Sequence, residues 1–304
     1  MKKIDIHAHI TNRPVEGIIY PNASLNVLQE EMEKYNIEKT VLLATYFPHR
    51  GTGITNFRLL DWINEDGWQE FSLFGSLDFE KYFYQGYNEL EELAERGKIG
   101  GIKIYTSYQH IDLQGENFSQ VRKLAGKHNL PLMFHMGYTH TGIKNKPFIA
   151  EKVTPSDIEF VAEYGQKIIM CHLAKPFTEE LIQVVKRNET IYADMSGLID
   201  SYRDKHELPQ AVKLVEKVLG ECGPDKLLFG TDFPVQTHKD SVYMIKSAMK
   251  DYSYEDKQKV YYDNAKGIIL DNKREMISPP QYYYNGRASC YELDDDYDDL
   301  CEDD

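Results

Sequence analysis

The sequence predicts an α/β protein built as a (β/α)8 barrel (a TIM barrel), on three observations. Eight short apolar, β-branched segments are spaced along residues 3–234. Amphipathic segments of helical period separate them, and this alternation with short connections indicates a parallel sheet. The chain has 304 residues, more than the roughly 250 that such a barrel needs. An open doubly wound sheet is the weaker alternative, because no G-x-G-x-x-G motif follows the first strand.

Each predicted strand is a short apolar run between turn residues. In chain order the strands are 3–10, 39–47, 71–79, 99–106, 130–137, 167–174, 190–198 and 225–234. The clearest predicted helices are 24–37, 117–129, 154–165, 207–220 and 254–270. Two of these begin with a recognisable N-terminal signal, Ser24 in one and Thr154 followed by Pro155 in the other.

The charge distribution separates the barrel from its C-terminal end. We predict a barrel over residues 1–272 and a C-terminal extension over residues 273–304. Residues 286–304 hold nine acidic and one basic side chain, which is −8 of the formal net charge of −14. Dense like charge repels itself and offers little to bury, so we expect this acidic tail to be disordered and solvated.

Composition excludes several classes of protein. An acidic surface repels phosphate backbones, so nucleic acid is not an expected partner. No apolar run approaches 18 residues, and no signal peptide is recognisable, so a membrane is not expected either. Four cysteines without a C-x-x-C pair fit a reduced compartment. We therefore expect a cytoplasmic protein acting on a small molecule. A homodimer, the commonest assembly of soluble enzymes, is left open.

The first strand contains two histidines, His7 and His9, in the segment IDIHAHI. Residues two apart in a strand point to the same face, so the two imidazoles project side by side. Two neutral imidazoles that converge on one point suit a divalent metal. Alternating polar residues on a surface strand would explain the pair alone equally well. Evidence for a metal site therefore has to come from other residues of the chain.

Four further polar residues lie near the C-terminal ends of other apolar strands: Lys103, His135, His172 and Asp232. Each alone has an ordinary structural explanation, such as a hydrogen-bonded core histidine or a turn aspartate. Barrel closure, however, brings their strands around one mouth, at the end where barrel enzymes place the active site. Together with the two histidines of the first strand they match a catalytic zinc-type site, in which protein ligands are joined by a water.

The order of motifs along the chain resembles one enzyme family. The motifs are IDIHAHI, GIKIYT, LPLMFHMG, IIMCHLAKP, LLFGTDFP and the late Asn264-Ala265. They resemble the amidohydrolase superfamily of metal-dependent (β/α)8 barrels, in particular its amidohydrolase-related (amidohydrolase 2) branch. The resemblance covers roughly residues 1–270, and residues after 271 lie outside it.

The resemblance implies roles for individual residues. The ligands of a single catalytic divalent metal, usually zinc, would be His7, His9, His135 and Asp232. His172 would hold or deprotonate the metal-bound water, or ligate a second ion in a two-metal site. Lys103 resembles a lysine that is carboxylated and bridges both ions in some members, and that lacks this role in others. We favour one zinc ion, with two as the alternative.

This set of residues predicts a hydrolase. A bound zinc lowers the pKa of its water to about 7 and polarises a carbonyl group. Asp232 could then accept the water's proton and pass it to the leaving group, while His172 orients the water. We expect hydrolysis of a C–N or C–O bond in an amide, ester or lactone. Ser196 and Asp194 in the seventh strand could line the pocket or support its ligands.

Three other functions remain open at this point. Metal-dependent, non-oxidative decarboxylation of a carboxylated small molecule is the main alternative, because the resemblance extends to decarboxylases with the same ligand set. A non-catalytic binding barrel ranks lower, and the histidine-rich phosphoesterases rank last. Four groups near the mouth could bind an anion, although a solvated surface position is the plainer explanation for each: Arg50, His140, Arg203 and His238.

Overall fold

Eight parallel strands follow one another in chain order around the barrel of a computed structural model of the chain. They are β1 (Lys3–Ala8), β2 (Ile37–Leu43), β3 (Phe71–Ser76), β4 (Gly101–Ile104), β5 (Leu132–Phe134), β6 (Ile168–Met170), β7 (Ile191–Asp194) and β8 (Leu227–Leu228). The structure describes residues 1–11, 13–45, 54–65, 70–138 and 153–270, without the side chains of 64, 65 and 270. The predicted barrel is confirmed. Each strand ends earlier than its apolar run, because the last residues leave the ladder and enter the mouth of the barrel.

Helices connect the strands, as the alternation predicts. They are α1 (Leu25–Tyr35), α2 (Asn56–Glu65), α3 (Phe83–Glu95), α4 (Glu116–Lys127), α5 (Pro155–Glu159), α6 (Thr178–Arg187), α7 (Leu208–Cys222), α8 (His238–Ala248), α9 (Tyr254–Gln258) and α10 (Asn264–Leu270). Ser24 caps α1 as expected, since its side chain accepts a hydrogen bond from Val27 N. A π-helical turn, Lys259–Asp263, lies between α9 and α10. Immediately after it, the Asn264 side chain donates to Leu227 O at 2.8 Å and so ties the last helix to β8.

The buried apolar residues form two clusters. One contains side chains from β1, β2, β3, β5, β6 and β8, including Ile6, Phe74 and Ile169. Strands on opposite sides of a barrel share contacts only in its interior, so this cluster is the barrel core. The other, larger cluster lies between the strands and the helices. Residues two apart, such as Ile169 and Cys171, share the interior face, as strand geometry requires.

The seam between β8 and β1 is closed by irregular backbone hydrogen bonds. Ile6 N donates to Phe229 O at 3.0 Å, and Ala8 forms one isolated parallel bridge with Phe233. Around that bridge, Asp232 N donates to His7 O and His9 N donates to Phe233 O, both at 2.7 Å. The segment that contains the two histidines is therefore bonded directly to the segment that contains the aspartate.

Some expectations fall outside the described residues. The predicted extension 273–304, Arg50 and His140 belong to segments whose structure is not described. Within the described part of the chain, none of the helices combines the length and the apolar character needed to cross a membrane.

Two glycines with similar backbone angles allow a test of packing at the end of β5. Gly137 has φ +77° and Gly165 has φ +72°, both in the left-handed region. A Cβ on Gly137 would lie 1.8 Å from Lys175 O, whereas a Cβ on Gly165 would meet no atom within 4 Å. We expect Gly165→Ala to cost about 1–2 kcal/mol of unfolding free energy from the backbone angle alone. Gly137→Ala should cost about 3 kcal/mol or more, since the backbone of the β6 loop must also move.

Urea denaturation of both variants would measure this difference. Equal losses of stability in the two variants would contradict the close approach of the β5 and β6 ends.

Candidate metal centre

The ring nitrogens of His7 and His9 converge on one carboxylate oxygen. His7 Nε2 lies 3.3 Å from Asp232 Oδ1, and His9 Nε2 lies 3.4 Å from the same atom. The ligand atoms of these three residues all lie within 4.8 Å of one another. The His7 side chain is buried, whereas that of His9 is 22% exposed, so the group lies at the mouth of the barrel.

Asp232 reaches this position through an unusual backbone. Its φ is +60°, in the left-handed region that aspartate tolerates better than most residues. Gly197, with φ +59°, lies beside it. A Cβ on Gly197 would be 2.6 Å from Asp232 Oδ2 and 2.8 Å from His172 Nδ1. Glycine at this position therefore allows both side chains to enter the site, with one Asp232 oxygen directed to the two histidines and the other to Gly197.

His172 is presented by a strained turn. β6 ends at Met170, so the strand predicted over 167–174 is wrong in its second half. His172, Leu173 and Ala174 have φ of +61°, +46° and +49°. Such conformations cost on the order of 1–3 kcal/mol each in non-glycine residues and cluster at functional sites. Here the turn brings the buried His172 ring to 2.9 Å from Ser196 O through Nδ1.

Two histidines face each other with unprotonated nitrogens. His172 Nε2 lies 3.2 Å from His135 Nδ1. The other nitrogen of each ring is next to a carbonyl oxygen, Ser196 O for His172 and Tyr138 O, at 3.0 Å, for His135. A carbonyl only accepts, so each ring donates there and turns a lone pair towards the other. Burial lowers the pKa of His172 to about 4 and that of His135 well below its ordinary value. Both facing nitrogens could therefore act as ligands of a cation.

Asp194 fixes the orientation of His7. His7 Nδ1 donates to Asp194 Oδ2 at 2.9 Å, which leaves Nε2 directed to the centre. The other oxygen, Asp194 Oδ1, accepts from Ser196 N at 2.8 Å and from His172 N at 3.3 Å. Burial opposes a charge on His7, but the attraction of Asp194 outweighs it and raises the pKa of His7 well above its ordinary value. A carboxylate on the outer nitrogen is the usual support of a metal-binding histidine.

The spacing of these donors fits a small divalent ion. Ligands at 2.0–2.1 Å from a tetrahedral zinc lie about 3.3 Å from one another. In the group formed by His7, His9 and Asp232, the two ring nitrogens lie 3.3 and 3.4 Å from Asp232 Oδ1. Burial also lowers the pKa of His9 to about 3, so its lone pair is available to a metal. These three residues therefore fit the ion that the sequence predicts.

The structure does not bring all four predicted ligands into one group. His7, His9 and Asp232 form one corner of the site, while His135 contacts His172 instead. The rings of His7 and His172, whose centroids are 4.9 Å apart, connect the group of three residues to the pair.

Lys103 has a partner that the sequence did not indicate. Its side chain is wholly buried, and Nζ donates to Cys171 Sγ at 2.8 Å. The ligand atoms of His7, Cys171 and His172 also lie within 4.8 Å of one another. Burial raises the pKa of the Cys171 thiol. The only feature of the sequence that pointed to Cys171 was its position next to His172 in the motif IMCHLA.

Two of the suggested anion-binding groups are described. Arg203 Nε lies 3.9 Å from Asp200 Oδ2, and its guanidinium packs against Gly17. His238 is wholly buried and lies 3.3 Å from Asp5 Oδ2 through Nε2. The suggestion of an anion-binding or solvated His238 is therefore wrong, because this ring supports the β1–β8 seam from outside the barrel.

Comparison with solved structures shows the same fold at low identity. A candidate 2-pyrone-4,6-dicarboxylic acid hydrolase from Pseudomonas putida is 18% identical, with a TM-score of 0.64 over 90% of this chain and 99% of that one. A zinc-bound amidohydrolase from Burkholderia multivorans is 12% identical, with a TM-score of 0.63 over 89% and 99%. A 2,6-dihydroxybenzoate decarboxylase from Rhizobium is also 12% identical, with a TM-score of 0.62 over 90% and 100%.

Sequence comparison gives the family. No curated protein matches this chain. A family model described as Amidohydrolase matches residues 4–268, which is nearly the whole barrel. The chain therefore belongs to the amidohydrolase family of metal-dependent enzymes.

Proposed function

We propose that this enzyme hydrolyses a C–N or C–O bond of a small-molecule amide, ester or lactone with the help of one bound zinc ion. The observation that supports this proposal is the convergence of the His7 and His9 ring nitrogens on Asp232 Oδ1, at 3.3 and 3.4 Å, which is the spacing of metal ligands. The family match is consistent with it. An imidazole-rich donor set also favours zinc over magnesium or calcium.

Three donors would hold the ion, His7 Nε2, His9 Nε2 and Asp232 Oδ1, with His135 as the fourth proposed ligand. When bound, the ion lowers the pKa of a water to about 7 and polarises the substrate carbonyl.

Asp232 is suited to move the proton. Burial opposes its ionisation, but the hydrogen bond and charge of His7 outweigh burial and hold the pKa of Asp232 below its usual range. The carboxylate is therefore ionised at neutral pH. Its Oδ2, on the side of Gly197, can accept a proton from the attacking water and deliver it to the leaving group.

His172 is suited to orient the water. Its Nδ1–H is fixed on Ser196 O, so Nε2 can only accept. A water between Nε2 of His172 and the Asp232 carboxylate would donate to both. This leaves an oxygen lone pair of the water free for attack on the substrate.

Substitution of Asp232 tests its role as the proton acceptor. In a panel of small amides, esters and lactones, we expect the zinc-loaded enzyme to hydrolyse at least one class of substrate. Asp232→Asn should lower kcat by about 10²–10⁴-fold, since the proton acceptor is lost. Asp225→Asn is the matched control, because Asp225 lies at the opposite end of β8 in an exposed ion pair with Lys259. Full activity of the Asp232→Asn variant would contradict the mechanism.

Decarboxylation makes a different prediction with the same protein. We expect no CO2 release from a parallel panel of aromatic and related carboxylic acids. Release of CO2 at a rate that exceeds every hydrolysis reaction would replace hydrolysis by decarboxylation as the function.

The metal itself can be tested without a substrate. Protein purified without chelators or a metal-binding tag should contain about one zinc ion per chain by elemental analysis. His9→Asn should lose most of this zinc, because His9 supplies a lone pair at the mouth, whereas His110→Asn, at an exposed position, should keep it. Failure of the wild-type enzyme to bind zinc even after reconstitution would contradict the site.

A further inference from the structure

The side chain of Ser196, two residues after the end of β7, contacts the outer ring nitrogens of two histidines. We propose that its hydroxyl is a positioning group that holds the rings of His7 and His172 at the same time. This inference rests on the proposed function, in which Nε2 of His7 binds zinc and Nε2 of His172 orients the water. It goes beyond that function because one side chain then sets both the strength of zinc binding and the rate of the reaction.

Ser196 Oγ approaches both rings from the side away from the centre. It lies 2.9 Å from His7 Nδ1 and 3.2 Å from His172 Nδ1. All three side chains are buried, and that of Ser196 is wholly buried. A neutral imidazole carries one N–H, so an inward lone pair on each Nε2 places that N–H on Nδ1. Both rings therefore donate towards the same hydroxyl oxygen.

Asp194 accepts the proton of the hydroxyl. Its Oδ1 accepts from the backbone N–H groups of Ser196, at 2.8 Å, and His172, at 3.3 Å, and it also accepts from Ser196 Oγ. A hydroxyl has one proton and two lone pairs, so donation to Asp194 leaves both lone pairs for the two rings. All the hydrogen-bonding positions of the hydroxyl are then used, and its rotation would break at least one of these bonds.

Each ring N–H is shared between two acceptors. That of His7 lies between Asp194 Oδ2, at 2.9 Å, and Ser196 Oγ, while that of His172 lies between Ser196 O, at 2.9 Å, and the same Oγ. The χ2 torsion of histidine is soft, so a single acceptor leaves the ring some freedom to turn, whereas a shared hydrogen bond restricts it. Loss of the hydroxyl removes one acceptor from each ring. Outer supports of this kind contribute about 10–100-fold to metal affinity or activity.

Ser196→Ala tests this coupling with two measurements. Zinc affinity, measured without a substrate by competition with a chromophoric chelator, should fall about tenfold because the ring of His7 is less restrained. At saturating zinc, kcat should also fall about tenfold through His172. The KM should stay the same, because the hydroxyl is wholly buried behind the rings.

Ser201→Ala is the matched control. Ser201 is buried in the same connection after β7, and its hydroxyl accepts from Thr237 N at 2.9 Å, at the start of α8. Its loss leaves a buried N–H unpaired and lowers stability. It should change neither zinc affinity nor kcat.

A double-mutant cycle separates the two rings. In a His172→Asn background, Ser196→Ala should still weaken zinc binding about tenfold, because that effect acts through His7. It should lower kcat no further, because its effect on kcat acts through His172. A full additional loss of kcat in that background would overturn the coupling.

A measurement on the wild-type chain covers the case in which Ser196→Ala does not fold, as urea denaturation would show. In zinc-loaded protein with isotopically labelled histidine and serine, the Nδ1–H protons of His7 and His172 should both show nuclear Overhauser effects to the β-protons of Ser196. Absence of either effect would overturn the inference.

The outcomes separate this inference from the proposed function. Unchanged zinc affinity and kcat in a folded Ser196→Ala variant of a zinc-binding enzyme would overturn the inference alone. Equal losses in Ser196→Ala and Ser201→Ala would also overturn it, because the effect would then be purely structural. A wild-type enzyme that binds zinc but hydrolyses no substrate would overturn the proposed function, and the zinc affinities would still decide the inference. No zinc binding by the wild-type enzyme would overturn both.

Discussion

The Asp5 carboxylate joins the first and last strands, and the rest of the site depends on it. Its Oδ1 accepts from His7 N at 3.1 Å and from Thr231 N at 3.0 Å, while Oδ2 accepts from Thr231 Oγ1 at 2.6 Å. The amides of His7 and Thr231 are buried at this seam, where only one isolated bridge joins the two segments, and an unpaired N–H there would be costly. By replacing the missing ladder, Asp5 holds the segment of His7 against the segment of Asp232. His238, behind the barrel, contacts the same carboxylate and extends this support to α8.

Closure of the β1–β8 seam accompanies backbone strain at two residues of the candidate site. His172 and Asp232 both have positive φ, although neither is glycine. Strain of this kind persists only where the surroundings fix the conformation. Here Asp232 N is bonded to His7 O, His172 N donates to Asp194, and Gly197 leaves room for both side chains. The strain is therefore held by the same bonds that position the donors.

The sequence predicted the fold well because a barrel is encoded locally, in alternating apolar strands and amphipathic helices. It also indicated that His7 and His9 share a face, since that follows from strand period alone. It could not give the left-handed turn at His172, because nothing in the segment CHLA distinguishes it from a continuing strand. The contact between Cys171 and Lys103 joins two strands that are not neighbours in the sheet, so it depends on strand tilt and register. The burial of His238 depends on how α8 packs, which periodicity does not fix.

Three of the four histidines of the site share one further property, the placement of the proton on the outer ring nitrogen. The outer N–H of His7 donates to Asp194. That of His135 donates to Tyr138 O, and that of His172 donates to Ser196 O. All three acceptors lie away from the centre, so the other nitrogen of each ring is directed inward. The inward nitrogens of His135 and His172 lie 3.2 Å apart, and that of His7 lies 3.3 Å from Asp232 Oδ1. The rings are therefore oriented in advance, and little reorganisation of them is needed when a cation binds.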